Sequence, residues 1–239
     1  MGIANTFTFG GVSSSTYGVV VEGSGDYSAP KRAVETIEIP GKNGALQIDL
    51  GRYDNIEIEY NVVVTSTTHS SFRQTIDSLR NAIVSKLGYQ RLEDTYHPDE
   101  YRMAMYAGGL DEEPSFYGKN AVFKVKFECK PQRFLTSGES VTTLTASGTI
   151  SNPTSFESKP LLVVTGTGNL TVNGVQIAIS ASPTTIDCEA MEAYNGSTSR
   201  NGNITLTPNR FPVLKAGSNT ITLGSGITQV KITPRWWKI

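Results

Sequence analysis

The stretch Ala121-Val122-Phe123-Lys124-Val125-Lys126-Phe127-Glu128-Cys129-Lys130 decides the fold class. Apolar residues occupy every second position and charges fill most of the gaps, which is the pattern of a β-strand with one face in a core and one in water. Ala121, Phe123, Val125, Phe127 and Cys129 are expected inside, with Lys124, Lys126, Glu128 and Lys130 outside. Upstream the same period recurs in Thr6-Phe7-Thr8-Phe9, in the apolar run Tyr17 to Val21, and in Ile56 and Ile58 set against Glu57 and Glu59. Ile37-Glu38-Ile39 runs into Pro40-Gly41-Lys42-Asn43-Gly44 and returns through Leu46, Ile48 and Leu50, as a hairpin with its tip at the Pro-Gly pair would. Tyr89 to Tyr96 and Tyr101 to Tyr106, on either side of His97-Pro98-Asp99-Glu100, predict a second hairpin.

One segment breaks the period of two. After Thr67-Thr68-His69-Ser70, apolar residues fall at Phe72, Ile76, Leu79, Ile83 and Leu87, spacings of three and four that predict a single helix near 70–87, stopped by Gly88. Downstream, short strands are expected over 143–150, 161–165, 169–172, 175–179, 185–188, 204–206, 219–223 and 229–233. Asn173-Gly174 is a two-residue hairpin turn, since both positions accept positive φ. Strands at this spacing without a helical pattern predict a sandwich.

Composition divides the chain at the same place. Of 239 residues with a formal charge of −1, residues 1–133 hold 14 Lys+Arg and 17 Asp+Glu, whereas residues 134–239 hold only 7 and 5. Pro131-Gln132-Arg133 followed by Thr136-Ser137-Gly138 reads as a seam, so two domains, 1–133 and 134–239, are expected. The balanced charge leaves no basic footprint for phosphate backbones. No apolar run approaches the ~20 residues of a membrane helix, and residues 1–7 lack the basic start and apolar run of a secretory signal. Cytoplasmic synthesis, no membrane insertion and two reduced core cysteines, Cys129 and Cys188, are the expectations.

Motifs for a zinc protease, a nucleophile elbow, a phosphate loop and a dinucleotide fold are all missing from the sequence. His69 and His97 fall at a helix start and in a turn, where polar residues serve structure. Glu57 with Glu59, and Asp187 with Glu189 and Glu192, are the carboxylate groups a glycosidase could use, but carboxylates two apart on a strand more often form its wet face. Neither a catalytic set, a cofactor nor a metal is expected. Trp236-Trp237 are neighbours, so in a strand one ring enters the core and the other faces out; together they are the residues a glycan-stacking reading would use.

Gly23-Ser24-Gly25-Asp26-Tyr27, Pro30-Lys31-Arg32 with Val34-Glu35, Ile39-Pro40-Gly41-Lys42-Asn43-Gly44 and the terminal Pro234-Arg235-Trp236-Trp237 resemble the distal tail protein of long-tailed bacteriophages, in order and over the whole chain. The resemblance implies a mainly β protein: an N-terminal β-sandwich with one α-helix and a projecting arm, then a C-terminal galectin-like β-sandwich. It implies a structural hub of the tail tip or baseplate, a homo-hexameric ring that joins the tail tube protein to the tail-associated lysin or tip protein and to receptor-binding proteins. DNA would pass its channel without sequence recognition. It places the protein in the virion, assembled in the host bacterial cytoplasm, and puts Asp26, Tyr27, Pro30, Lys31, Arg32, Pro40, Gly41, Lys42, Asn43 and Gly44 at contacts between subunits. The competing reading is a carbohydrate-binding module in residues 134–239.

Overall fold

The computed structural model describes residues 5–23, 28–65, 69–108, 115–117 and 120–239. The chain divides into two compact units, Met1–Arg133 with Ile239, and Phe134–Lys238. Both are mainly β.

The long strand Asn120–Leu135, which belongs to the first unit as far as Arg133, lies between Ile56–Thr65 and Glu100–Gly108. The sheet continues on one side to Val19–Glu22, and on the other to Gln90–Asp94, Phe7–Phe9 and Val12–Ser13. The expected alternation holds: Ala121, Phe123, Val125, Phe127 and Cys129 are all buried. On the outward face Lys124 Nζ lies 2.8 Å from Glu59 Oε1, and Lys126 bridges Glu59 at 3.5 Å and Glu57 at 4.0 Å. Lys126 stands directly opposite Glu59 in the register, while Lys124, opposite Asn61, reaches the same carboxylate diagonally.

The helix His69–Val84 closes this core with Phe72, Ile76, Leu79 and Ile83, all buried. It ends a turn earlier than its apolar spacing predicts. Lys86 N donates to the Ile83 carbonyl, a tightened last turn, and Leu87 lies outside the helix and is 87% exposed. Phe7, Phe9, Tyr60 and Phe127 form the aromatic centre, with Phe7 stacked on Tyr60 at 5.3 Å and Phe9 4.8 Å from Phe127. The run from Tyr17 begins differently from its expected strand: Ser14–Tyr17 is a 3-10 turn and pairing starts at Val19.

The second unit is a β-sandwich of two antiparallel sheets. One contains Thr142–Leu144, Ile227–Thr233, Leu161–Gly166, Thr184–Asp187, Glu192–Asn195 and Thr198–Ser199; the other contains Gly148–Asn152, Gly217–Leu223, Gly168–Val172, Val175–Ile179 and Ile204–Thr207. The strand expected over 143–150 is two strands, Thr142–Leu144 and Gly148–Asn152, that belong to different sheets. Asn173 and Gly174 take φ of 49° and 82° between the paired residues Val172 and Val175, as the hairpin reading requires. Inside lie Leu162, Val164, Leu170, Ile177, Ile186, Ile221, Val230, Ile232 and Trp236.

Candidate functional site: an uncovered two-stranded arm

Arg32–Glu38 and Ala45–Tyr53 pair with each other and with no further strand among the described residues. Their tip follows from local chemistry. Lys42 N donates to the Ile39 carbonyl at 3.1 Å, Pro40 supplies the first turn position and Gly41, at φ 79°, the second, where a side chain would be strained. At the base the register slips between Arg32 and Val34, so Tyr53 faces Arg32 while Asp49 faces Val34.

That slip gathers a polar clamp. Arg32 Nε donates to Asp49 Oδ2 at 2.7 Å, its Nη1 donates to the Tyr53 hydroxyl at 2.9 Å, and its guanidinium lies 5.1 Å from the Tyr53 ring centroid. Gly51 N donates to the other Asp49 oxygen at 2.8 Å. Hydrogen bonds from Arg32 hold the Asp49 carboxyl below its ordinary value, and those to Asp49 and Tyr53 raise the guanidinium above its own. Asp54 N donates to the Lys31 carbonyl at 2.9 Å and extends the pairing at the base.

Register sorts the side chains. Opposed residues share a face, so Val34 with Asp49, Thr36 with Gln47 and Glu38 with Ala45 lie on one side; Glu35 with Ile48 and Ile37 with Leu46, joined by Leu50 two residues on, lie on the other. The second face is therefore an aliphatic stripe. It is uncovered: Ile37, Leu46, Ile48 and Leu50 are 39%, 50%, 41% and 49% exposed, and Ile39 at the turn is exposed as well. A bare two-stranded ribbon is marginal in water, and four large aliphatics gathered on one of its faces form an exposed apolar patch rather than scattered surface residues.

The other singled-out residues are placed as follows. Lys31, Arg32, Pro40, Gly41, Lys42, Asn43 and Gly44 are exposed on the arm or at its base, and Pro30 is half-buried; Asp26 and Tyr27 lie outside the described residues. The arm residues singled out from sequence are polar, charged or turn-forming apart from Tyr27. The aliphatic face is the feature that reading passed over.

Trp236 enters the sandwich core at 5% exposure. Trp237 faces outward, stacked on Phe156 at 4.5 Å, its Nε1 donating to the Glu157 carbonyl at 2.9 Å. Asp187 makes a two-pronged pair with Arg235, at 2.7 and 2.8 Å, and accepts the backbone N–H of Glu189 and Ala190. Chiefly the Arg235 hydrogen bonds bring its carboxyl down to about 2, so it cannot serve as a proton donor near neutrality. Burial pushes the Cys188 thiol up to about 12, which leaves it un-ionised. His97 is held in its turn by Asp94, whose Oδ1 accepts the His97 backbone N–H at 2.8 Å and lies 3.0 Å from its Nδ1, while the Tyr60 hydroxyl donates to Asp94 Oδ2 at 2.7 Å. Among the described residues no three His, Cys, Asp or Glu side chains gather as a metal site.

The chain superposes on the crystal structure of SPP1 Dit (gp 19.1), described as a paradigm of the hub adsorption apparatus in Gram-positive infecting phages, with a TM-score of 0.76 and 14% identity over 99% of this chain and 100% of that one. The two proteins share a fold. More distantly, the chain matches structures of the phage P2 baseplate in its activated conformation, with Ca at TM-score 0.49, 11% identity and 96% and 98% coverage, and with Sr at 0.49, 12% identity and 97% and 98% coverage. No family model matches the chain, and no curated protein matches it by sequence.

Proposed function

We propose that this chain is a structural hub of a phage tail tip or baseplate, in which six copies close into a ring through their arms. The observation that carries the reading is the aliphatic stripe Ile37, Leu46, Ile48 and Leu50, preformed on a clamped ribbon and open to solvent. The fold shared with SPP1 Dit supports it. Each arm lies against the next copy, so the contact repeats head to tail and closes on itself. The mixed charges of Lys31, Arg32, Glu35, Glu38 and Lys42 set the register while the aliphatics supply affinity.

In this reading the two units 1–133 and 134–239 divide the labour. The first builds the ring around a channel through which DNA passes without sequence recognition, with the tail tube protein on one side and the lysin or tip protein on the other. The second, a galectin-like sandwich, docks receptor-binding proteins at the periphery. The virion is the working location. Multi-angle light scattering of the purified chain, alone and with tube and tip partners, tests this: a six-copy mass alone or on mixing is expected, and a strict monomer in every mixture overturns it.

A further inference from the structure

Asn-Gly pairs occur four times, at Asn43-Gly44, Asn173-Gly174, Asn195-Gly196 and Asn201-Gly202, and the structure treats them very differently. Asn173 is locked: its Nδ2 donates to the Val213 carbonyl at 3.0 Å and to Asn219 Oδ1 at 2.6 Å, and its Oδ1 accepts Thr220 N at 3.0 Å. The Asn201 Oδ1 accepts Ala193 N at 2.6 Å. Asn195 is exposed but belongs to a strand, paired with Thr198 across its turn. Asn43 has none of these restraints. It lies just past the Pro40-Gly41 turn, it and Gly44 are both exposed, and its carboxamide makes no hydrogen bond among the described residues. Gly44 sits at φ 80°, with no atom within 4 Å of where a Cβ would stand. The absent side chain leaves its backbone nitrogen open to attack a neighbour.

We infer that Asn43 is a site of spontaneous, backbone-mediated deamidation that converts the arm tip from a neutral amide to a carboxylate. Gly44 N loses its proton to solvent and bonds to Asn43 Cγ. The Cγ–Nδ2 bond breaks, and the nitrogen takes up a proton and leaves as ammonia. Water then opens the resulting five-membered imide at either carbonyl, giving aspartate or isoaspartate. No oxidant or cofactor enters, and the reaction needs only a free carboxamide and a chain able to bend onto it. The other pairs fall short by degrees: Asn173 must first lose three side-chain hydrogen bonds and Asn201 one, whereas Asn195 is restrained only through its backbone.

The outcome at Asn43 adds a negative charge one residue from Lys42, on the surface that the ring reading assigns to subunit contact. The chemistry itself depends only on the exposed arm and stands apart from that reading. To test it, the purified full chain is held folded at mildly alkaline pH and peptides are mapped by mass spectrometry over time, scoring the Asn-to-Asp mass shift and the isoaspartyl isomer at each of the four sites. Conversion at Asn43 at least about tenfold faster than at Asn173, a barrier difference of about 1.4 kcal/mol, is expected, with Asn195 between them. A smaller ratio, or Asn201 outpacing Asn43, overturns the inference. In N43Q the tip-peptide signal should vanish while the other three sites keep their rates; persistence of that signal also overturns it.

Discussion

Replacing Leu46 and Ile48 together by alanine separates assembly from folding. Both side chains stand on the aliphatic face of the arm at 50% and 41% exposure, so about half of each is still available for burial. Full burial of a Leu or Ile is worth about 1.5–3 kcal/mol, leaving about 1 kcal/mol per residue for a partner to gain. The double variant therefore loses about 2 kcal/mol per contact, a roughly 30-fold weakening, repeated at every contact of a closed ring. The protomer should hardly notice, since exposed substitutions away from caps and networks stay within about 0.5 kcal/mol. Light scattering across a concentration series, with circular dichroism and urea unfolding as controls, reads the two effects apart. A matched variant on the opposite face, T36A/Q47A, removes side chains of the same ribbon at the same depth and should leave the mass distribution close to wild type. If L46A/I48A assembles like the parent, or if the polar-face variant is equally damaging, the reasoning is refuted.

Other expectations concern the two cores and the sandwich's ion pair. For D187N, loss of the charged contacts to Arg235 should lower sandwich stability by about 1–2 kcal/mol after allowing for solvent screening. The chain's two tryptophans both lie in that unit, so tryptophan fluorescence in urea reads the change. Because the folded carboxyl titrates at about 2, below its ordinary 3.8, the contribution is complete above the unfolded value and disappears as pH falls through about 2; D187N should flatten that acid limb, and an unchanged limb would argue against the pair. A Cβ at Gly138 would overlap the Trp236 backbone nitrogen, and Gly138 O accepts Arg235 N at 2.8 Å, so G138A should cost about 1–3 kcal/mol in the same assay. F127A removes a fully buried ring that meets Phe7 and Phe9 and should destabilise the first unit by about 3–5 kcal/mol on thermal unfolding, with the fluorescence transition of the second unit left in place.

What could be read from sequence follows the reach of each signal. The helix face Phe72, Ile76, Leu79 and Ile83 and the alternation from Ala121 to Cys129 are periodic over many residues, and the core of the first unit uses both as written. The strands Glu192–Asn195 and Thr198–Ser199 were missed because they are short, polar and aperiodic, formed by pairing in turn onto Thr184–Asp187 and onto each other rather than by propensity. Leu87 kept the helical spacing, but spacing does not say where a helix stops. Adjacent tryptophans on opposite faces are legible. That Trp236 is the inner one depends on Phe156 and Glu157, some 80 positions away.

The arm shows the same limit most sharply. Its hairpin and tip were readable from Pro40-Gly41, and Arg32 was singled out, yet its partner Asp49 depends on a register slip that no local pattern encodes. Leu46, Ile48 and Leu50 alternate like any half-buried strand. Periodicity shows that such a face will be covered but not by what, because a core and a neighbouring subunit ask the same of a side chain.

Electron microscopy of the purified chain, alone and after mixing with tube and tip proteins, tests the central claim most directly: that another copy covers the arm's aliphatic face. The account predicts closed six-fold rings in which each arm rests on its neighbour. Single chains in every preparation, or rings whose arms stand free in solvent, would contradict it.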